Sequence, residues 1–427
     1  MREEEKIQAR DRHAQYLAEF LHQRGERMKG GAESHALDEI MVEMDNVCAA
    51  WNWMAQHHLV QELKHSCTSL FRIYETRCHL QEGVKAFELG ARTMRQAMPE
   101  KENRLLLATM LRLQARLRSM LGEQELAKQL LSEALEIARE LGERKEEAFA
   151  LNNLGILATT MGEYAQAQRY YQASLAIKQD LGEPNAIAIT LVNRTQVAYL
   201  MGEYAQGTEL AQETIALSQS LGRKDLVADS KYFLGEIARG SGNIEEARRW
   251  HEAALALYRE LAKPWAIAVC LDGLARVAIE TNEYGKAHQL AHEGLEYAQS
   301  VGHSGITASC LNTMGRIACA LGDYDEAKRL HRQVIQTAWT AKQPPLVLDG
   351  LIGIAALRTK TGQPDAAVEL LAFVINHPAT IACERDRAAR LLAGLETHSS
   401  PDLIAAAKEK AKTARLEEIV ESSKHAV

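Results

Sequence analysis

Gly162-Glu-Tyr-Ala-Gln-Ala167, Gly202-Glu-Tyr-Ala-Gln-Gly207 and Gly322-Asp-Tyr-Asp-Glu-Ala327 are three copies of one phrase, and their spacing decides the fold. The residue that opens the phrase recurs every forty positions: Gly122, Gly162, Gly202, Gly242, Asn282, Gly322 and Gly362. Self-similarity at a fixed period marks a stacked-repeat architecture and overrides a domain count taken from length. A stacked array presents a long surface, so the residues to search for are those that meet a ligand.

One repeat shows what is being stacked. Across residues 145–182, Ala148, Leu151, Leu154, Gly155 and Ala158 recur at helical spacing. Met161-Gly162-Glu163 interrupts the pattern, and Tyr164, Ala167, Tyr171, Ser174, Leu175 and Ile177 start a second helical face. Leu181-Gly182 ends it, because glycine accepts the left-handed conformation that caps a helix. Each unit is therefore expected to be two antiparallel helices joined by a tight turn. Two columns of small residues set how closely they pack. One reads Ala115, Gly155, Thr195, Gly235, Ala275, Gly315, Ala355, and the other Ala127, Ala167, Gly207, Ala247, Ala287, Ala327, Ala367.

Leu154-Gly155, Gly162-x-Tyr164, Ala167, Tyr171 and Leu175 stand at the mutual offsets of the tetratricopeptide pattern, which this chain resembles over roughly residues 103–377. The resemblance implies an all-α, right-handed superhelical solenoid. The usual unit is shorter, and here the extra length falls in the second helix and the following turn. The usual proline after the second helix is absent, and Ser174 or Thr214 replaces the expected alanine. In these departures the chain resembles the longer repeats of large bacterial signalling proteins.

The ends narrow the likeness. Residues 9–97 are helical in pattern but out of register with the repeats. Arg12-His13-Ala14-x-Tyr16, Glu43-Met44-Asp45-Asn46 with Ala49-Ala50-Trp51-Asn52-Trp53, and Arg77-Cys78-His79-Leu80-x-Glu82-Gly83 are similar to a segment of STAND-class signalling ATPases. In that class a nucleotide-binding module and a winged helix precede a tetratricopeptide sensor, as in the maltose-operon activators; Cys78 stands where the class usually has glycine. Leu370–Pro378, Asp386–Leu392 and Leu416–Val420 resemble its closing helices. The phosphate-cradling GxxxxGK[ST] loop does not occur. The resemblance thus implies a sensor half without its ATPase, arranged as an N-terminal helical region (1–102), seven repeats (103–377) and C-terminal capping helices (378–427). Ser34 and Asp38 are candidates for opening a helix, and the stretch His398–Pro401 for a break before the last one.

Composition fits a repeat array and excludes several classes. Apolar residues make up 46% of 427, and with only 8 prolines helix is favoured nearly throughout. The net charge of -7 is spread in mixed patches with no basic stripe, so direct nucleic-acid binding is not expected. No apolar run approaches the ~18 residues of a membrane span, and none resembles a signal peptide. The seven cysteines form no CxxC pair, which suits reduced thiols in the cytoplasm.

No catalytic constellation is present: there is no serine elbow, no GxGxxG and no HExxH, and no cofactor is implied. His288 and His292 have the spacing of a metal pair but no telling third ligand, so they read as solvated, and no metal site is expected. His251 and His331 share the second-helix column of Tyr171 and read as packing or interface residues.

In tetratricopeptide proteins the first helix of each pair lines the concave surface. Carried over, one inward column is Arg112, Asn152, Val192, Tyr232, Asp272, Asn312, Ile352. Its neighbour is Arg116, Ile156, Gln196, Glu236, Arg276, Arg316, Ala356, with Thr159, Tyr199, Asp229 and Arg239 around them. These columns change from repeat to repeat while the packing columns stay small, as recognition positions do. The expected ligand-binding set is Asn152, Gln196, Tyr199, Asp229, Tyr232, Glu236, Asp272, Arg276, Asn312 and Arg316. Its guanidiniums suit carboxylates or backbone carbonyls, and its amides suit a peptide backbone. The expected function is non-catalytic recognition of a peptide or protein, controlling a STAND-type ATPase through an N-terminal nucleotide-binding module of the parent protein. The alternative is a structural scaffold that assembles through its faces or ends. Arg276→Ala or Tyr232→Ala is expected to cost binding with little loss of stability.

Overall fold

The computed structural model describes residues 3–29, 33–76, 79–396 and 400–425. These form twenty-two helices, and among the described residues there is no strand. The chain divides into two compact units, residues 1–157 with 172–182, and residues 158–171 with 183–427.

The first unit holds α1 (Glu3–Lys29), α2 (Glu33–Val42), α3 (Met44–Gln56), α4 (Val60–Thr76), α5 (Leu80–Gln96), α6 (Lys101–Met120) and α7 (Gln124–Glu140). It also holds most of α8 (Arg144–Met161) and the later half of α9 (Tyr164–Asp180). Trp51, 1% exposed, packs edge-on against Phe87 and donates its indole N–H to the Ala86 carbonyl at 2.9 Å. Trp53 donates to Asp11 at 2.8 Å and so ties α3 to α1. The tryptophans of the Ala49–Trp53 motif are thus structural anchors. Arg77 and Cys78 lie outside the described residues. Ser34 and Asp38 both fall within α2, which starts at Glu33.

The second unit is an all-α solenoid of stacked pairs. Its helices are α10 (Pro184–Met201), α11 (Tyr204–Ser220), α12 (Lys224–Gly240), α13 (Ile244–Glu260), α14 (Pro264–Glu280), α15 (Tyr284–Ser300), α16 (Ser304–Leu321), α17 (Tyr324–Thr340), α18 (Pro344–Lys360) and α19 (Pro364–Asn376). Then follow α20 (Ala382–Glu396), α21 (Pro401–Ala411) and α22 (Leu416–His425), together with the end of α8 and the start of α9. Pro184, Pro264 and Pro344 start α10, α14 and α18, where a missing N–H costs nothing. The break near His398 is followed by two helices, not one; residues 397–399 lie outside the described set, and the Ser400 hydroxyl caps α21 by accepting from Leu403 N–H.

The forty-residue period is visible in the backbone. Asn282, which occupies the glycine slot, is left-handed at φ 60°, a conformation asparagine tolerates. The turns between pairs are left-handed too, and two of them do without glycine, at Ala262 (φ 48°) and Lys342 (φ 52°). Both small columns are buried throughout. His251 and His331 are fully buried, each facing glycines of two successive first helices: Gly235 and Gly273 for His251, Gly315 and Gly353 for His331. No described helix is long and apolar enough to cross a membrane.

Candidate functional site

Four successive first helices of the second unit, α10, α12, α14 and α16, point polar and charged side chains toward one another. Glu236 of α12 is the hub, with its side chain 1% exposed. It accepts the Tyr199 hydroxyl of α10 at 2.8 Å and Arg239 Nη2 at 3.1 Å. Arg276 of α14 grips it with both terminal nitrogens at 3.2 Å. His251 Nε2 lies 3.3 Å from Glu236 Oε1 but off line for a hydrogen bond. Burial works to raise the Glu236 pKa, yet Arg276 and then Arg239, with His251, hold the carboxyl well below its ordinary range. One repeat further on, Asp272 accepts Ser309 at 2.7 Å and Thr313 at 2.6 Å from α16, with Arg276 Nε at 3.3 Å.

The far wall of this cluster comes from outside the repeats. After α19 the chain turns through residues 377–381, where Thr380 donates to the Val374 carbonyl at 2.6 Å, and α20 then lies along the first helices. The Cys383 sulfur sits 3.3 Å from the Tyr199 hydroxyl and 3.5 Å from Arg239 Nη2. Glu384 approaches Arg239 to 4.0 Å, and Arg387 donates to Asp349 of α18 at 2.7 Å. Burial opposes ionisation of Glu384, but Arg387, Arg316, Arg239 and Arg276 bring its pKa down to about 2. Arg316 is pushed down to about 10 by burial and by Arg387 beside it.

Two glycines mark where the returning chain lies. A Cβ on Gly162 would come within 2.2 Å of the Ala379 Cβ, and one on Gly202 within 2.9 Å of the Ala382 Cβ. The Tyr164 hydroxyl donates to the Ala379 carbonyl at 3.0 Å. Tyr164 is consequently 6% exposed, while Tyr324, at the same place in its own repeat, is 37% exposed.

With this geometry in hand, comparison with known proteins places the repeats. The family profile of the MalT-like TPR region matches residues 153–373, just over half of the chain. The chain belongs to the MalT-like TPR family. A general tetratricopeptide profile also matches residues 125–180. A search of curated proteins returns no match. Among solved structures, the MalT-like chain is similar to a Rap protein complexed with competence and sporulation factor, at TM-score 0.60 and 11% identity over 85% of this chain and 99% of that one. It is similar to the apo quorum sensor NprR of B. thuringiensis, at TM-score 0.52 and 13% identity over 92% and 99%. A third likeness is to the STAND protein PH0952 of Pyrococcus horikoshii, which has a tetratricopeptide repeat sensor, at TM-score 0.50 and 12% identity over 87% and 55%. At these identities the likeness concerns the fold.

Within this MalT-like fold, five of the ten expected residues, Tyr199, Glu236, Asp272, Arg276 and Arg316, join the ionic cluster. Tyr232 stands beside it, half-buried, its ring 5.4 Å from that of His251. Gln196 is half-buried on α10. Three point elsewhere. Asn312 turns to His331, whose Nδ1 is 2.9 Å from the amide oxygen and therefore carries the proton. Burial and then Arg387 and Arg316 lower His331 to about 3, so the ring is neutral. Asp229 accepts the Tyr258 hydroxyl of its partner helix, and burial raises it to about 6. Asn152 belongs to the first unit, where its oxygen lies 3.5 Å from Lys178 Nζ. Arg276 is committed to Glu236 and Asp272, a packing role that the expectation from sequence did not include.

Sequence reasoning missed Asp349, Cys383, Glu384 and Arg387. A signal existed: the inward column turns apolar at Ile352, which is 1% exposed in a core shared with Ala388 and Leu392 of α20. An apolar residue at the end of a largely polar column says that something covers it. Among the described residues no group of three or more His, Cys, Asp or Glu side chains could hold a metal ion.

Proposed function

We propose that this chain is a non-catalytic recognition module that takes a peptide or protein on the first-helix face of its repeats, and so controls a STAND-type ATPase. One observation carries the reading: the face already engages a peptide segment, the chain's own residues 379–387, through ionic side chains that vary from repeat to repeat. The likeness to a Rap protein complexed with competence and sporulation factor, and to a quorum sensor, supports a peptide ligand. The likeness to a STAND protein with a tetratricopeptide repeat sensor supports the ATPase output. Of the residues expected from sequence, Tyr199, Tyr232, Glu236, Asp272, Arg276 and Arg316 form the proposed recognition face, with Gln196 at its edge. The proposed boundaries are a helical N-terminal region, repeats from about residue 103, and caps from residue 378.

The test has two steps. Proteins retained from source-cell lysate by the immobilised chain are identified by mass spectrometry. The captured ligand is then titrated against wild type, Arg316→Ala and Arg169→Ala by calorimetry. Arg169 is exposed on the second helix α9. A buried or interface arginine that anchors a ligand is worth about 2 kcal/mol or more, and an outer one little. Equal losses at both positions would move the scaffold reading ahead.

A further inference from the structure

We propose that α20 is an exchangeable occupant of the first-helix face, and that the ligand displacing it is a helical peptide segment presenting a carboxylate and a guanidinium one turn apart. The inference deepens the recognition reading above and rests on it.

The chemistry is read from the fit of α20. Glu384 and Arg387 are three residues apart, so both point to one side of the helix. The surface beneath is charged in the matching order. Arg239 lies under Glu384, Asp349 lies under Arg387, and Arg316 stands within electrostatic reach of both, attracting the first and opposing the second. A segment with only acids would leave Asp349 opposed, and one with only bases would crowd Arg239 and Arg316. The next turn of α20 adds Ala388 and Leu392 to an apolar core. A competing segment therefore needs the order carboxylate, guanidinium, apolar.

Exchange is possible because α20, which itself packs on α19, lies between two helices that also hold each other directly. On one side α19 completes the last repeat. On the other, α21 packs directly on α19, with Ile404, Ala407 and Ala411 buried in its core. The polar seat of α20 is also incompletely used. Arg387 Nη1 and the Tyr204 hydroxyl are buried and make no hydrogen bond within the protein, and Glu384 Oε2 meets only Arg387 Nε of its own helix, at 3.0 Å. A helix with a better placed polar group gains what α20 leaves unmade. A tethered segment competes at an effective concentration in the millimolar range, so the free ligand must bind this face more tightly than α20 does.

The test uses the full chain and a thiol already in place. Cys383 is buried against Tyr199 and Arg239, while Cys270 and Cys310 are buried inside the repeats. Labelling by N-ethylmaleimide, mapped by mass spectrometry, reads the three sites separately. In Glu384→Ala with Arg387→Ala, labelling of Cys383 should rise at least tenfold while Cys270 and Cys310 keep their wild-type rates. A fluorescent synthetic peptide of residues 378–397 should bind this variant at least tenfold more tightly than wild type. The same peptide with Glu384 and Arg387 exchanged should lose that binding.

An unchanged Cys383 rate would show α20 to be a permanent element held by its apolar side, and would overturn the proposal. So would a rise at all three cysteines, because α20 would then be part of what holds the repeats together. An opened face that ignores the peptide would overturn the recognition chemistry. Each of these results leaves the broader reading to its own test, since a captured ligand sensitive to Arg316→Ala can still bind the face beside a fixed α20.

Discussion

Glu236→Ala removes the one carboxylate that α10, α12 and α14 share, and its cost can be worked from its partners. Deleting one member of a buried ion pair costs about 3–5 kcal/mol, because the other charge is left without compensation. Here two guanidiniums and a hydroxyl lose their acceptor, yet each keeps another neighbour. Arg276 retains Asp272 at 3.3 Å, Arg239 retains Glu280 at 3.3 Å, and Tyr199 retains Cys383. The expected loss is therefore near the lower end, about 3 kcal/mol. Replacing the pair as a whole, Glu236→Leu with Arg276→Met, should recover most of it, because an apolar pair of similar volume avoids the desolvation cost. Urea denaturation followed by circular dichroism gives the totals. Hydrogen exchange read on peptides of α10, α12 and α14 gives the location, since stacked repeats lose structure in neighbouring groups. A loss below ~1 kcal/mol for Glu236→Ala would refute the hub, and so would a double variant as damaged as the sum of its two single changes.

Further expectations concern packing, pH and the cap. Gly353→Ala puts a Cβ 2.3 Å from the buried His331 ring and should cost about 1–3 kcal/mol, whereas Gly285→Ala, with open space on an exposed helix, should gain up to ~1 kcal/mol; equal melting temperatures would contradict both. The pKa of Asp229 is raised in the fold, so its contribution is fully present below about pH 4 and is lost as pH rises through about 6. Asp229→Asn should then match wild type near pH 4 and exceed it by about 3 kcal/mol at pH 8, and a pH-independent difference would count against burial as the cause. Deleting residues 401–427 uncovers the apolar seat of Ile404, Ala407, Ala411, Leu416 and Val420 and should cost at least ~3 kcal/mol, read as a lower melting temperature and dye binding; a parental melting curve would end the capping argument.

What the sequence could reveal followed from periodicity. A turn needing a left-handed residue must repeat with the turn, so Asn282 could be assigned its role from its slot alone. The small columns followed for the same reason, and the place of His251 and His331 among them was legible because Tyr171 precedes them at the same offset. Ala262 and Lys342 were not legible, since nothing in a side chain that usually avoids the left-handed region announces that the next repeat forces it there. The inner face was only partly legible. Motif offsets say which way a first-helix residue points, but not whether it meets solvent, a neighbour's hydroxyl or a distant part of the chain. Asp272 meets the hydroxyls of Ser309 and Thr313, and Asn312 meets a histidine one helix away. Arg387 falls outside the period, so no column could point to it.

The contact between Tyr164 and Ala379 joins positions 215 residues apart, and that between Arg239 and Cys383 joins positions 144 residues apart. Stacked repeats otherwise settle against neighbours that are already made. A ribosome adding about 5–20 residues per second needs roughly 7–30 s to go from Arg239 to Cys383. Through that interval Tyr199, Glu236 and Arg239 can pair with each other, but the helix that covers them has not been synthesised. On the proposed reading, a partner made nearby would meet the face first, and α20 would arrive as the competitor.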